Sequence, residues 1–135
     1  MEYKALEFKN DDVNAGARTF AGYASTFDED LGGDIISKGA FNKTMERKDR
    51  VKVLWQHNEP IGKSMDMRTD SKGLYVEGKI SKTRLGDEAI ELMQDGVIDQ
   101  MSIGFSIPNG KSEYNEKGNR LIHEVKLFEY SLVTF

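Results

Sequence analysis

The sequence predicts a mostly β fold with helices: a small, mainly antiparallel β-barrel of about seven strands flanked by helices. Three observations lead there. Apolar and polar residues alternate with period two in one stretch after another. Only two segments carry apolar residues at helical spacing. Strands and helices do not alternate in the βαβ rhythm that a doubly wound parallel sheet requires.

Taken in order, Tyr3 to Phe8 reads as a first strand, and the turn-prone residues 10 to 16 separate it from a second, Thr19 to Phe27. A polar, glycine-containing loop from Asp28 to Asp34 precedes Ser37 to Arg47, where Ala40, Phe41, Thr44 and Met45 recur at helical spacing. Val51 to His57, Ile61 to Met67 and Leu74 to Ile80 read as three strands, the last two joined by a hairpin turn at Asp70 to Gly73. Asp87 to Gln94 is the clearer helix, with Gly96 where a left-handed C-terminal cap belongs. Val97 to Ile107 is a strand, Asn115 to Asn119 a turn, and Arg120 to Phe135 one long strand or two joined by a bend. No repeat or linker divides residues 1 to 135, which read as a single domain.

Composition narrows the chemistry. A chain of 135 residues buries roughly two-thirds of its unfolded surface and needs no staple. With no cysteine there is no disulfide, thiol nucleophile or thiolate-bound zinc, and the chain suits a reducing cytosol. The N-terminus lacks the apolar core of a signal peptide, and no stretch is long enough to span a membrane. Net charge is −4 with Lys and Arg scattered along the chain, which argues against nucleic acid as a partner.

Two residues stand out as a candidate pair: His57, ending the run Val-Lys-Val-Leu-Trp-Gln-His, and Ser102, within Gln-Met-Ser-Ile-Gly-Phe. A serine hydroxyl becomes a competent nucleophile when a neutral imidazole takes its proton, and the chain has only two histidines. Alternation puts Met101, Ile103, Phe105 and Ile107 on an apolar face, and Ser102 opposite with Gln100, Gly104 and Ser106. Gly104 there would let a substrate backbone come close. The same alternation groups His57 with Val51, Val53 and Trp55, on an apolar face, which is awkward for a pair with Ser102 unless a bulge or a two-sided apolar strand intervenes.

Three residues of the last segment could orient His57: His123, Glu124 and Glu129. On a straight strand His123 and Glu129 would be roughly 20 Å apart, so they cannot serve one site together. Glu129 lies among Leu127, Phe128, Tyr130, Leu132 and Val133, so an ionised carboxylate there requires a partner, an Arg or Lys in the simplest case. Asp28, Asp30 and Asp34 have a calcium-loop-like spacing, but Gly39 stands where the bidentate glutamate belongs, which leaves a solvated acidic loop. Two distant histidines without a third ligand make no zinc site.

Seven segments, in order and across nearly the whole chain, resemble the prohead proteases of tailed bacteriophages, capsid-maturation serine peptidases related to the herpesvirus assemblin protease. They are Phe-Ala-Gly-Tyr-Ala-Ser-Thr-Phe (20 to 27), Asp-Ile-Ile-Ser-Lys-Gly-Ala-Phe (34 to 41), Val-Leu-Trp-Gln-His (53 to 57), Ile-Gly (61 to 62), Gly-Leu-Tyr-Val-Glu-Gly (73 to 78), Met-Ser-Ile-Gly-Phe (101 to 105) and Leu-Phe-Glu-Tyr-Ser-Leu-Val-Thr (127 to 134). The resemblance implies His57 as general base, Ser102 as nucleophile and Glu129 as third member, with His123 and Glu124 as alternatives because the herpesvirus relatives use a second histidine. It also implies a helix-flanked barrel, no metal or organic cofactor, endopeptidase action on scaffold and major capsid proteins inside the immature prohead in the bacterial cytoplasm, and self-association as a homodimer or higher oligomer. The family's last motif continues into a Pro-Ala pair and often a tail, whereas this sequence stops at Phe135, so a catalytic core without that tail is expected. A barrel that binds capsid or scaffold chains without cutting them is the rival expectation.

Overall fold

The computed structural model describes residues 1–8 and 12–134. The strands are β1 (Glu2–Glu7), β2 (Val13–Asn14), β3 (Thr19–Thr26), β4 (Asp34–Ile36), β5 (Lys52–Trp55), β6 (Glu59–Thr69), β7 (Gly73–Ile80), β8 (Gln100–Ser106), β9 (Ser112–Tyr114), β10 (Arg120–Ile122) and β11 (Lys126–Val133). The helices are α1 (Asn42–Met45) and α2 (Arg84–Gln94), with a 3₁₀ turn at Lys48–Arg50. The fold is therefore mostly β with helices, as the alternation predicts.

Strand count and closure differ from the expected barrel. Eight strands form one curled sheet in the order β1-β8-β11-β5-β6-β7-β3-β2, and β4, β10 and β9 form a second. The end strands β1 and β2 do not pair with each other, so the large sheet is a curled half-barrel and not a seven-stranded closed one. The extra strands β2, β4 and β9 are two or three residues long, too short to show a period. Pairing is antiparallel except for β5 with β11 and β4 with β10.

Element boundaries follow local chemistry. The first helix is only four residues, and Gly39, at φ +90°, turns the chain shortly before it. The second begins three residues earlier than its apolar spacing suggests, because the Thr83 side chain caps it by accepting from Gly86 N at 2.9 Å. Gly96 takes the left-handed conformation expected of it, φ +74°. The hairpin at Asp70–Gly73 is held by the Asp70 carboxylate, which accepts from the amides of Lys72 and Gly73. The last segment is two strands in different sheets, β10 and β11. Asn10 and Asp11 of the first expected turn, and Phe135 of the last expected strand, lie outside the described residues.

One face of the large sheet curls around the core, in which Phe20, Phe105, Leu74 and Ile103 are fully buried. Tyr130 lies edge-on to Phe20, ring centroids 6.1 Å apart, and its hydroxyl donates to Glu77 O at 3.3 Å. Burial pushes the Tyr130 phenol well above its ordinary range.

The small sheet is tied to β1 by an ion network that takes in Asp30 and Asp34 of the solvated acidic loop expected at Asp28 to Asp34, while Asp28 itself stays exposed as expected. Arg120 donates to both Asp34 oxygens, at 3.0 and 2.7 Å, and to Glu2 at 2.6 Å; Lys4 donates to Asp34 at 2.8 Å and also reaches Asp30. The hydrogen bonds from Arg120, reinforced by Lys4, hold the Asp34 carboxyl below the usual carboxylate range. A depressed folded-state pKa contributes stability that is full above the unfolded value, about 3.9, and is lost as pH falls through the folded one. The melting temperature should therefore fall on acidification below about pH 4, and Asp34→Asn should lower it near neutrality while flattening that acid limb. Melting curves across pH test this; the same acid slope in both proteins would remove Asp34 from the account.

Candidate active site

His57 and Ser102 meet on the outer face of the large sheet, despite the opposite faces that simple alternation assigns them. β5 ends at Trp55, and Gln56 and His57 both take left-handed conformations, φ 52° and 61°. Such conformations cost about 1–2 kcal/mol per residue outside glycine and persist only where surrounding bonds enforce them. Here Gln56 N donates to Leu132 O at 3.0 Å, His57 N to Ser131 Oγ at 3.1 Å and Asn58 N to Trp55 O at 3.0 Å. The turn brings the imidazole back over β11 and β8.

Ser102 lies in β8 between β1 and β11, opposite Ala5 and Ser131. Glu129 reaches the same face through a register shift in β11 between Leu127 and Glu129: Leu127 pairs with Phe105 on the core side, Glu129 with Gly104 on the outer side. A bulge thus reverses parity for the carboxylate, and a left-handed turn does so for the imidazole.

The side chains form one continuous hydrogen-bonded chain. Glu129 Oε1 lies 2.5 Å from His57 Nδ1, and His57 Nε2 lies 2.7 Å from Ser102 Oγ. A carboxylate can only accept, so Nδ1 carries the imidazole proton; Nε2 of the neutral ring then accepts from the Ser102 hydroxyl. The second Glu129 oxygen accepts from Ser131 Oγ at 2.6 Å. Glu129 is 6% exposed and Ser102 4%, whereas the His57 side chain is 21% exposed. The partners that stabilise the buried carboxylate are therefore His57 and Ser131, not the Arg or Lys of the simplest expectation.

The other candidates lie apart from this chain. His123 Nδ1 is 3.1 Å from Ser37 Oγ, with Nε2 3.6 Å from Glu113; Glu124 faces Lys43 at 3.4 Å and Lys111 at 3.9 Å. Gly104 has a different purpose from the one its position suggests. A Cβ there would overlap Glu129 Oε1, so the glycine makes room for the carboxylate and not for a substrate backbone.

Ser131 and Tyr3 are neighbours that the sequence reading passes over. Ser131 is the polar residue two positions after Glu129 in an otherwise apolar run, a signal visible in the sequence itself. Tyr3 gives no such signal: its ring packs on the His57 imidazole, centroids 4.1 Å apart, only because β1 aligns it with Gly104.

Residues 4–135 match the family described as caudovirus prohead serine protease. The chain belongs to that family. Among its relatives are the prohead protease of Enterobacteria phage HK97, 34% identical over 122 residues that cover 86% of this chain and 54% of that protein, and the prohead protease of Escherichia phage T5, 30% identical over 126 residues covering 88% and 58%. The capsid polyprotein of Pseudomonas phage PAJU2 is 32% identical over 143 residues, covering 98% of this chain and 20% of the polyprotein. The chain thus spans little more than half the length of the two prohead proteases. In fold it is similar to the bacteriophage T4 capsid assembly protease, with a TM-score of 0.61 at 14% identity, covering 85% of this chain and 80% of the other. No helix among the described residues is long and apolar enough to cross a membrane.

Proposed function

We propose that this member of the prohead protease family is a serine endopeptidase, that residues 1–135 form its catalytic core, and that it cuts phage scaffold and major capsid proteins inside the immature prohead in the host cytoplasm. The observation that carries the reading is the imidazole held at both nitrogens, by Glu129 on one side and Ser102 on the other. Family membership and the capsid polyprotein relative support the reaction and the substrates.

Neutral His57 takes the Ser102 proton on Nε2 as Oγ bonds to the peptide carbonyl carbon. The imidazolium so formed is stabilised by Glu129 through Nδ1 and gives its new proton to the leaving amine. Water, deprotonated by the same nitrogen, then releases the acyl group from Ser102. Because β8 pairs on both sides, its amides lie within the ladder, so the oxyanion donors come from another segment.

Ser131 acts as a positioning residue in this scheme, holding Glu129 by Oε2 and the left-handed peptide of His57 by its amide. Ser131→Ala should lower turnover about 10- to 100-fold, the scale typical of losing a supporting partner behind a site ligand, and should shift the far-downfield proton resonance of the His57–Glu129 hydrogen bond. An unmoved resonance with full turnover would show that Ser131 only fills space.

The reading is tested by incubating unfolded capsid and scaffold proteins of the parent phage with the chain and mapping new termini by mass spectrometry. Cleavage by the wild-type chain that Ser102→Ala abolishes is expected. Binding without cleavage by either protein would establish the non-cutting barrel instead.

A further inference from the structure

The lysines that look scattered in the sequence are gathered by sheet register. Across the outer face, Gly104 pairs with Glu129, Glu129 with Lys52, Lys52 with Lys63, and Lys63 with Lys79. Three lysines thus stand directly opposite one another on three consecutive strands, beginning one strand away from the Glu129 carboxylate. All three are exposed, and among the described residues none lies within ion-pair distance of a carboxylate. Lys48, by contrast, holds one, and Lys4 and Arg120 each hold two.

Like charges directly opposite on neighbouring strands destabilise a sheet. Lysine on an edge strand guards against aggregation, but β5, β6 and β7 are interior strands with no edge to guard. The row also lines an open groove of about 440 Å³, shared with Met65, Lys82 and Arg18. Arg18 is already paired with Asp87 at 2.9 Å, so Lys82 is the further unpaired ammonium there.

We infer that this lysine row binds an acidic stretch of the polypeptide substrate, an inference that rests on the endopeptidase reading. Neighbouring strands are about 4.8 Å apart and the lysine row is set two residues, about 6.6 Å, along the strands from Ser102, so Lys52 lies about 12 Å from Ser102 and Lys79 about 20 Å. An extended peptide advances about 3.3 Å per residue, which sets the carboxylates about four to six residues from the bond that is cut. Nucleic acid fits less well, since no aromatic side chain lines the groove to stack a base.

The test uses an extended decapeptide with glutamates at three alternate positions, its glutamine counterpart and a single-stranded oligonucleotide, each titrated against the Ser102→Ala chain. Each exposed lysine–carboxylate pair contributes a few-fold, so the acidic peptide should bind about 10- to 100-fold more tightly than the neutral one. That advantage should vanish in Lys52→Gln/Lys63→Gln/Lys79→Gln and in 1 M salt, where the screening length is about 3 Å. With Ser102 restored, the triple variant should react with a fluorophosphonate at the parental rate and melt no lower than its parent, since it loses only repulsion. Equal binding of the two peptides, or an acidic peptide indifferent to the three lysines, would overturn the inference, as would tighter binding of the oligonucleotide. Lysine-dependent peptide binding in a chain whose serine does not react would keep the docking surface and remove the endopeptidase reading.

Discussion

Glu129→Gln is expected to leave the fold intact and cut turnover by about 10⁴-fold, the scale seen when an amide replaces the carboxylate of a serine triad. The two side chains have nearly the same shape, and Ser131 can still donate to the amide oxygen. What changes is the proton on the imidazole. Glu129 accepts at Oε1 and so keeps the proton on His57 Nδ1. An amide with its oxygen on Ser131 presents NH₂ to His57, which turns Nδ1 into an acceptor and moves the ring proton to Nε2, facing Ser102. That nitrogen can then no longer take the hydroxyl proton. Parallel measurements of turnover and melting temperature test the prediction, and a loss below about 10-fold in a stable variant would deny Glu129 its role in setting the tautomer.

Gly104→Ala should have the next largest effect, and by displacement alone. Gly104 is not among the residues at positive φ, so alanine meets no backbone strain there. Its methyl would overlap Glu129 Oε1 and lie 3.1 Å from Cδ and 3.3 Å from Met1 Sδ. The carboxylate is bound at both oxygens, to His57 and Ser131, and cannot retreat without losing one of them. Leaving a buried charged group short of a hydrogen bond costs about 1–3 kcal/mol or more. A melting temperature lowered by several degrees should accompany an activity loss approaching that of Glu129→Gln, and the double variant should be little worse than either single one. Wild-type activity in Gly104→Ala would mean that Glu129 moves freely and is not held for catalysis.

Much of this architecture is legible in the sequence because it follows from local rules. Period-two alternation marks the longer strands, and Gly96 marks the end of α2. The relation between His57 and Ser102 is not legible, since alternation assigns them to opposite faces. Two backbone irregularities bring them together with Glu129: the consecutive left-handed residues Gln56 and His57, and the register shift before Glu129. Neither residue of the turn is glycine, so nothing in the composition announces it, and two of the three bonds that enforce it come from β11, about 75 residues away along the chain. The strands β2, β4 and β9 escape notice for the plainer reason of length. Lys52, Lys63 and Lys79 seem unrelated until the register of three strands sets them in line.

Activation of Ser102 by His57 is open to covalent labelling with a fluorophosphonate, located by intact mass and peptide mapping. The wild-type chain should gain one adduct, on Ser102, and both Ser102→Ala and His57→Ala should stay unlabelled. A folded wild-type chain that takes up no label, or a His57→Ala variant that labels as fast as wild type, would contradict it.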